Sequence, residues 1–226
     1  MRSFYHVFIH LLFMRSFLPQ GVFGAMGVVF SFPAERQLSL KERASGAYGA
    51  SPYYLAKATV DVATYLPGPV VFSCCVYFLV GFQATAAKFF VFTGVMCLTT
   101  MATCALALAT SALCRTVAVS VVVLPLLLEA SRLCSGFYTW PAVQTPRWAW
   151  LDALSYVSYN YPSLLQNELA GLELSCSAAA PCPPPYAYVV KAGYAQRTIG
   201  ENCLALAGYT LICHAAAYCG IRWLKH

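Results

Sequence analysis

Apolar segments about as long as a bilayer is thick recur along this chain, and they constrain its fold more than any other feature. A helix needs about 20 apolar residues to cross a hydrocarbon core about 30 Å thick. The sequence is 60% hydrophobic and only 10% charged, whereas a soluble domain carries about 25% charged residues. A bilayer is therefore the expected solvent, and an all-α integral membrane bundle is the expected fold.

The apolar pattern predicts about five transmembrane helices in one membrane domain that covers residues 1–226. Pro67 and Pro69 interrupt the second span, which a membrane helix tolerates when its neighbours satisfy the freed carbonyl groups. The predicted spans are residues 17–32, 55–82, 89–113, 117–137 and 203–221.

Two further segments are too polar to cross the membrane. Residues 35–48 surround Leu38 and Leu40 with charges, which predicts a short amphipathic helix at the membrane surface. Residues 138–202 form a long loop region rich in Trp and Tyr, which is typical of the bilayer interface, and we expect one or two short helices there. The charged residues of the amphipathic segment are Glu35, Arg36, Lys41, Glu42 and Arg43.

The basic residues of the loops favour one orientation. Of eleven Lys and Arg residues in the loops and near the span ends, placing residues 35–48 in the cytoplasm puts seven on that side and four on the other, as the positive-inside rule favours. The 138–202 loop then lies outside, where disulfides persist. It holds Cys176 and Cys182, separated by a short Pro-containing stretch, and this pair is the disulfide candidate; two free thiols are the alternative.

Charged side chains inside spans are costly and tend to pair or to face a cavity. Lys57 and Asp61 are four residues apart, so they share a helix face, and a structural salt bridge is the favoured interpretation. Glu129 and Arg132 are three apart and should pair with each other, facing the protein interior or a wet cavity. We interpret His214, a single histidine on an apolar helix, as a packing residue.

Motifs for catalysis, metal binding and phosphate binding are absent from the sequence. It contains no HExxH, no CxxC and no G-x-x-x-x-G-K-[ST] phosphate loop, and its four histidines, His6, His10, His214 and His226, form none of these motifs. Its basic residues form no run that would suggest nucleic-acid binding. We expect a chain that is not an enzyme, that binds no metal or nucleic acid and that cannot hydrolyse ATP by itself.

The order of short motifs resembles the membrane domain of the G subfamily of ABC transporters, the white and breast-cancer-resistance type. Each motif alone is weak, but their joint spacing is specific. The motifs are KERASGAY at 41–48, YYLAK at 53–57, VYFLVG at 76–81, SGF at 135–137 and QNEL at 166–169.

The resemblance implies a nucleotide-binding domain followed by six spans, with this chain corresponding to spans two to six. Such a subunit forms a homo- or heterodimer in the bilayer and exports lipids, sterols or amphipathic compounds, and ATP and Mg bind only to the nucleotide-binding domain, supplied in cis or in trans. Residues 35–48 resemble the coupling helix that receives motion from that domain, and Cys176 and Cys182 match loop cysteines. The expected location is the plasma membrane or another endomembrane.

The resemblance also implies a substrate cavity between spans two and five of a dimer. Glu129 and Arg132 depart from the apolar pattern usual there, which motivates the hypothesis of a more polar or anionic-amphiphile cargo. The matching positions are Gln20, Phe23, Leu128, Glu129, Arg132 and Phe137.

Two other functions compete with that of a transporter subunit. One is a non-transporting membrane protein that dimerises with full-length transporters and modulates them. The other is an intramembrane enzyme, which is disfavoured because Asp61 and Asp152 lie at opposite membrane faces in the predicted topology.

Overall fold

The computed structural model of the protein describes residues 20–46, 48–114, 116–135, 149–172 and 186–223. All regular secondary structure in these ranges is helical, which confirms the predicted all-α bundle. Four segments of the described chain are long and apolar enough to cross a membrane, and they are Ala50–Val80, Ala86–Leu113, Val117–Cys134 and Ile199–Arg222.

We number the helices of the described ranges in chain order. They are α1 Gln20–Ala44, α2 Ala50–Tyr65, α3 Pro67–Val80, α4 Ala86–Leu113, α5 Val117–Cys134, α6 Ala149–Ala153, α7 Val157–Leu169, α8 Tyr186–Lys191 and α9 Ile199–Trp223.

Helix α1 differs from the sequence prediction, which separates a span at 17–32 from a surface helix at 35–48. The structure has one unbroken helix, Gln20–Ala44. Pro33 lies within this helix and does not end it. The helix ends where Gly46 adopts a φ of 79°, a left-handed conformation that glycine reaches without strain.

Helices α2 and α3 together form one long membrane segment with a proline at the joint. Leu66 keeps a right-handed helical conformation between the two helices, and its N–H donates to the Val62 carbonyl at 3.1 Å. Pro67 then occupies the first position of α3, where its missing N–H costs no hydrogen bond. The chain therefore crosses this joint without leaving the helical path.

Helix α4 is the centre of the bundle and packs mainly against α9 and α1, with α3, α5 and α7 around them. Its buried face is built from small residues, which let helix backbones approach closely. Gly220 of α9 shows how close they are, because a Cβ added there would lie 3.1 Å from the Ala112 Cβ. The small buried residues of α4 include Ala102, Ala105, Ala107, Ala109 and Ala112.

A compact region, residues 149–172 and 186–198, covers one end of the bundle, and we call it the cap. The sequence predicts short helices at or near the surface there, but every residue of α7 is buried. Helix α7 contacts α4, α8 and α9. Its N-terminal end is fixed to the end of α5, since Ser155 Oγ donates to the Ser131 carbonyl at 2.6 Å. The cap is therefore an integral part of the core.

Candidate functional site

An ion-pair chain joins α1 to α2 near the end of the bundle opposite the cap. Lys57 Nζ lies 2.9 Å from Asp61 Oδ1, the i,i+4 pair that the sequence predicts, and 2.6 Å from Glu35 Oε2. The Lys57 side chain is 9% exposed and that of Asp61 is 14% exposed. Two carboxylates therefore share one largely buried ammonium, which fixes the charged half of α1 to a membrane-spanning helix.

A second polar contact joins α2 to α9 at the same end of the molecule. Tyr54 Oη lies 2.7 Å from His214 Nδ1 and donates to the His214 carbonyl at 2.9 Å. Ser51 Oγ and Tyr218 Oη are 2.9 Å apart one helical turn away. His214 thus has the hydrogen-bonded packing role that its sequence context suggests.

The Glu129–Arg132 pair forms as the spacing predicts. Arg132 Nη1 donates to Glu129 Oε1 at 2.6 Å, and the Arg132 side chain is 15% exposed while that of Glu129 is 53% exposed. Leu128 beside them is buried in the core. Glu129 consequently presents a charge on the outer face of α5, among exposed apolar residues.

The remaining predicted site residues have the following positions. Gln20, Phe23, Arg36 and Arg43 lie on α1, but their side chains fall outside the described part of the structure. Phe137, Cys176 and Cys182 lie outside the described residues. In α1, Lys41 is exposed, and the Glu42 carboxylate accepts a hydrogen bond from Tyr48 Oη at 2.5 Å.

A fourth polar cluster, which we call the cap hub, ties α7 to the turn between α3 and α4. The Gln83 backbone N–H donates to Glu168 Oε1 at 3.1 Å, and Lys88 Nζ donates to Gln83 Oε1 at 2.8 Å and to the Ala170 carbonyl. Asn167 Nδ2 donates to the Lys88 carbonyl at 3.0 Å. These contacts fix the C-terminal end of α7 to the start of α4.

The hub continues to the other side of α7. Gln166 Nε2 donates to the carbonyls of Tyr194 and Arg197 at 2.6 and 2.7 Å. Glu168 is 1% exposed. Burial raises the pKa of the Glu168 carboxyl to about 7, although the Gln83 hydrogen bond and the Lys88 charge oppose that rise. One short polar run, Gln166 to Glu168, therefore holds the cap together.

Sequence reasoning missed the partners of these groups rather than the groups themselves. The sequence indicates Glu35 as a surface charge of the amphipathic segment, whereas the structure pairs it with Lys57. Gln83 and Glu168 are 85 residues apart, and nothing in the pattern of either segment indicates that they meet. The signal that was available is the polar run at 166–168 in otherwise apolar surroundings, since buried polar groups require partners.

The four polar clusters consist of ion pairs and hydrogen bonds. The described residues contain no group of three or more His, Cys, Asp or Glu side chains that could hold a metal ion. The ion pairs and hydrogen bonds connect helices, and such connections can transmit a displacement from one helix to the next.

The family model described as "ABC-2 type transporter" matches residues 4–169 of the chain. Among similar proteins, "ABC transporter G family member 3" of Dictyostelium discoideum is 30% identical over 176 residues, which are 77% of this chain and 13% of that protein. "Broad substrate specificity ATP-binding cassette transporter ABCG2" of Mus musculus is 29% identical over 219 residues, 90% of this chain and 33% of the relative.

A fungal relative, "ABC multidrug transporter MDR1" of Trichophyton interdigitale, is 28% identical over 151 residues, 67% of this chain and 10% of its own length. The chain therefore spans a third or less of the length of these curated relatives.

Proposed function

The chain belongs to the ABC-2 type transporter family, and we propose that it is the membrane-spanning part of an ATP-driven exporter of lipids, sterols or amphipathic compounds. Nucleotide-binding domains, in cis or in trans, supply ATP and Mg binding and the hydrolysis that this chain does not perform. The relatives named as ATP-binding cassette and multidrug transporters support this assignment. The proposed location is the plasma membrane or another endomembrane.

The observation that carries the proposal is the Glu35–Lys57–Asp61 ion-pair chain. The charged half of α1 exposes Leu38, at 57%, and Lys41, a surface suited to receive a nucleotide-binding domain. Glu35 lies one helical turn from Leu38, and its carboxylate holds Lys57 of α2. A displacement of the exposed end of α1 is therefore passed directly to a membrane-spanning helix.

Glu35→Gln tests this coupling, because the change leaves the Lys57–Asp61 pair in place. We expect ATP-dependent transport by the native assembly in proteoliposomes to fall about tenfold, a loss of about 1.4 kcal/mol of coupling, while ATP hydrolysis persists. Thr59→Val is the control, since the Thr59 hydroxyl bonds only within its own helix at 2.8 and 3.1 Å. Unchanged transport by Glu35→Gln would overturn the coupling role.

The proposed assembly is a homo- or heterodimer whose contact includes the outer face of α5. Val122 and Leu126, whose side chains are apolar and 61% and 65% exposed, are compatible with contact with lipid. Exposure of Glu129 on the same face to lipid is unfavourable, because a charged residue at the centre of a membrane helix costs about 3 kcal/mol. A second subunit, or a wet cavity between two subunits, relieves that cost.

Photo-crosslinking tests the dimer contact. A photoreactive residue at Val122 should give a crosslinked dimer in membranes, whereas one at Leu79, which is 85% exposed on α3, should not. Equal crosslinking at both positions would mean random collision and would contradict the proposed contact.

Cargo selection by the Glu129–Arg132 pair is the finer part of the proposal. Glu129 and Arg132 neutralise each other when no cargo is bound. A polar or anionic group of an amphiphile would bind by replacing Glu129 as the partner of Arg132. Arg132→Ala should change the ratio of anionic to neutral amphiphiles transported, whereas Ser131→Ala should not. An unchanged ratio in Arg132→Ala would remove the pair from cargo selection.

Purification of the native complex separates the exporter from the modulator alternative. An exporter requires an ATPase domain, in the same polypeptide or as a stoichiometric partner, and vanadate-sensitive transport. A complex that contains a full-length transporter whose activity falls when this chain is added would instead establish the modulator.

A further inference from the structure

A small polar cavity lies where the cap meets the membrane bundle, and none of the functions above uses it. It lies between the end of α5, the helices α6 and α7, and the start of α9, it is partly open to the surface, and its volume is about 50 Å³. One water needs about 10–15 Å³, so the space fits a group of a few non-hydrogen atoms. The polar side chains that line it include Ser135, Asp152, Ser158, Arg197 and Asn202.

Asn202 is the most informative residue of this cavity. It is 1% exposed, and within the described residues neither Nδ2 nor Oδ1 has a hydrogen-bond partner. Its backbone N–H, by contrast, donates to the Thr198 carbonyl at 3.0 Å. A buried amide without partners costs about 1–3 kcal/mol, and native structures contain few such groups. Asn202 lines the cavity, so its amide is placed to bind a polar group that enters there.

Two opposite charges border the same cavity and are held apart. The Asp152 carboxylate accepts a hydrogen bond from Ser158 Oγ at 2.5 Å, while the Arg197 guanidinium lies 5.2 Å from the centroid of the Tyr159 ring. The ion pairs of the described chain do not join them to each other. The carboxylate can accept hydrogen bonds from an ammonium group, and the guanidinium can donate to an anionic group. The Asn202 amide can donate to the anion through Nδ2 and accept from the ammonium through Oδ1.

From this arrangement we propose that the cavity binds a zwitterion of a primary ammonium and a phosphate, the headgroup chemistry of phosphatidylethanolamine. The ammonium enters toward Asp152 and Asn202, and the phosphate lies toward the exposed Arg197. The start of α9, a candidate membrane span, borders the cavity, so a lipid headgroup reaches it from the adjacent leaflet. A trimethylammonium group has no N–H to donate to Asp152 or Asn202, so choline lipids bind more weakly.

Lipid retention measures this preference. The purified protein is placed in nanodiscs with equal phosphatidylethanolamine and phosphatidylcholine, and the lipids that it retains are counted by native mass spectrometry. We expect about fivefold enrichment of the ethanolamine lipid. Asp152→Asn and Asn202→Leu should abolish the enrichment, and Arg197→Gln, a change at an exposed position, should reduce it without a folding defect.

Asn160→Leu is the matched control, because it also removes a buried asparagine amide whose Oδ1 lacks a partner in the described residues, but it does not line the cavity. It should keep the enrichment. Soluble phosphoethanolamine, added to protein in phosphatidylcholine nanodiscs, distinguishes the source. If soluble phosphoethanolamine also raises the thermal midpoint of unfolding, the cavity recognises the headgroup without its lipid. If only the ethanolamine lipid raises the midpoint, the bound headgroup comes from the membrane. No enrichment and no thermal response would overturn the proposal and leave the cavity to ordered water.

Discussion

The α4–α9 contact and the cap hub hold the same molecule together by opposite means. Between α4 and α9, small side chains such as Ala112 and Gly220 bring two backbones to van der Waals contact. In the cap, the long polar side chains of Gln166, Asn167 and Glu168 are buried and bond to backbone groups of other segments. One region depends on the absence of side-chain volume, and the other depends on side-chain length.

This difference follows from the solvent of each region. In a bilayer, apolar surface gains little by leaving lipid, so helices associate through close packing of small residues. At the cap, the chain turns repeatedly and frees backbone carbonyls, such as those of Tyr194 and Arg197, that helices would otherwise satisfy. Buried polar side chains supply the missing donors. Each region should therefore fail under a different kind of substitution.

Gly220→Leu should have the largest effect, because the added side chain meets Ala112 backbone atoms at 3.3 and 3.4 Å that cannot yield. We expect a loss of about 3 kcal/mol, or failure to accumulate in the membrane. Gly208→Leu on the same helix is the control, since nothing lies within 4 Å of a Cβ added there. Thermal unfolding in nanodiscs measures the stability of both variants. Equal losses of stability in the two would show that α9 does not depend on close packing at Gly220.

Gln166→Leu should open the cap and leave the α4–α9 contact intact. The change keeps the volume but leaves the carbonyls of Tyr194 and Arg197 without their donor, at a cost of about 2 kcal/mol. Hydrogen exchange should rise in residues 157–172 and 186–198 while α4 stays protected. Uniform exchange throughout the bundle would contradict the separation of the two regions.

The stability of the cap should depend on pH through Glu168. Its pKa rises from an ordinary 4.5 to about 7, so the folded state binds the proton more tightly than the unfolded state does. Stability is therefore greatest below pH 4.5 and is lost as the pH rises through about 7, by on the order of 2 kcal/mol.

Thermal midpoints measured from about pH 4 to about pH 8 test this dependence. Glu168→Gln should flatten the profile, whereas Glu42→Gln, at the opposite end of the molecule, should retain the wild-type slope. A slope that survives in Glu168→Gln would assign the dependence to another group.

Thr99→Val should have the smallest effect. The Thr99 hydroxyl is buried in α4, but it donates to the Val95 carbonyl of its own helix at 2.8 Å and bridges no helices. We expect a change below about 0.6 kcal/mol, the average for hydrogen bonds between membrane helices. A loss as large as that of Gln166→Leu would mean that hydroxyl groups bonded within their own helix also contribute substantially to the stability of the membrane region.

The sequence predicts the membrane region well because one physical requirement, apolar length, dominates it. The helices Ala86–Leu113 and Val117–Cys134 lie within a few residues of the predicted ends. Pairs close in sequence, such as Lys57 with Asp61 and Glu129 with Arg132, are also predictable, because helix geometry alone brings them together.

The cap and the link from Glu35 to Lys57 could not be predicted in the same way. Their partners are distant in sequence, and the choice among many acceptors depends on the tertiary packing of α7. Helix α7 itself is polar enough to resemble a surface helix, and only its neighbours bury it. The unbroken course of α1 through Pro33 likewise does not follow from a local helix-breaking rule, which does not include the packing of α1 against α4 and α5.

The joined length of α2 and α3 has a consequence for the choice of membrane. Ala50–Val80 has 31 residues, which extend about 46 Å at 1.5 Å per residue, against a hydrocarbon core of about 30 Å. An untilted helix with Val80 at one edge of the hydrocarbon core would place the excess in its first turns, which would bring Lys57 and Asp61 to the level of the lipid headgroups. A thicker bilayer would draw these charges toward hydrocarbon, while a thinner one would release them into water. Hydrophobic mismatch therefore acts directly on the ion-pair chain, and we expect coupling between α1 and α2 to vary with acyl-chain length.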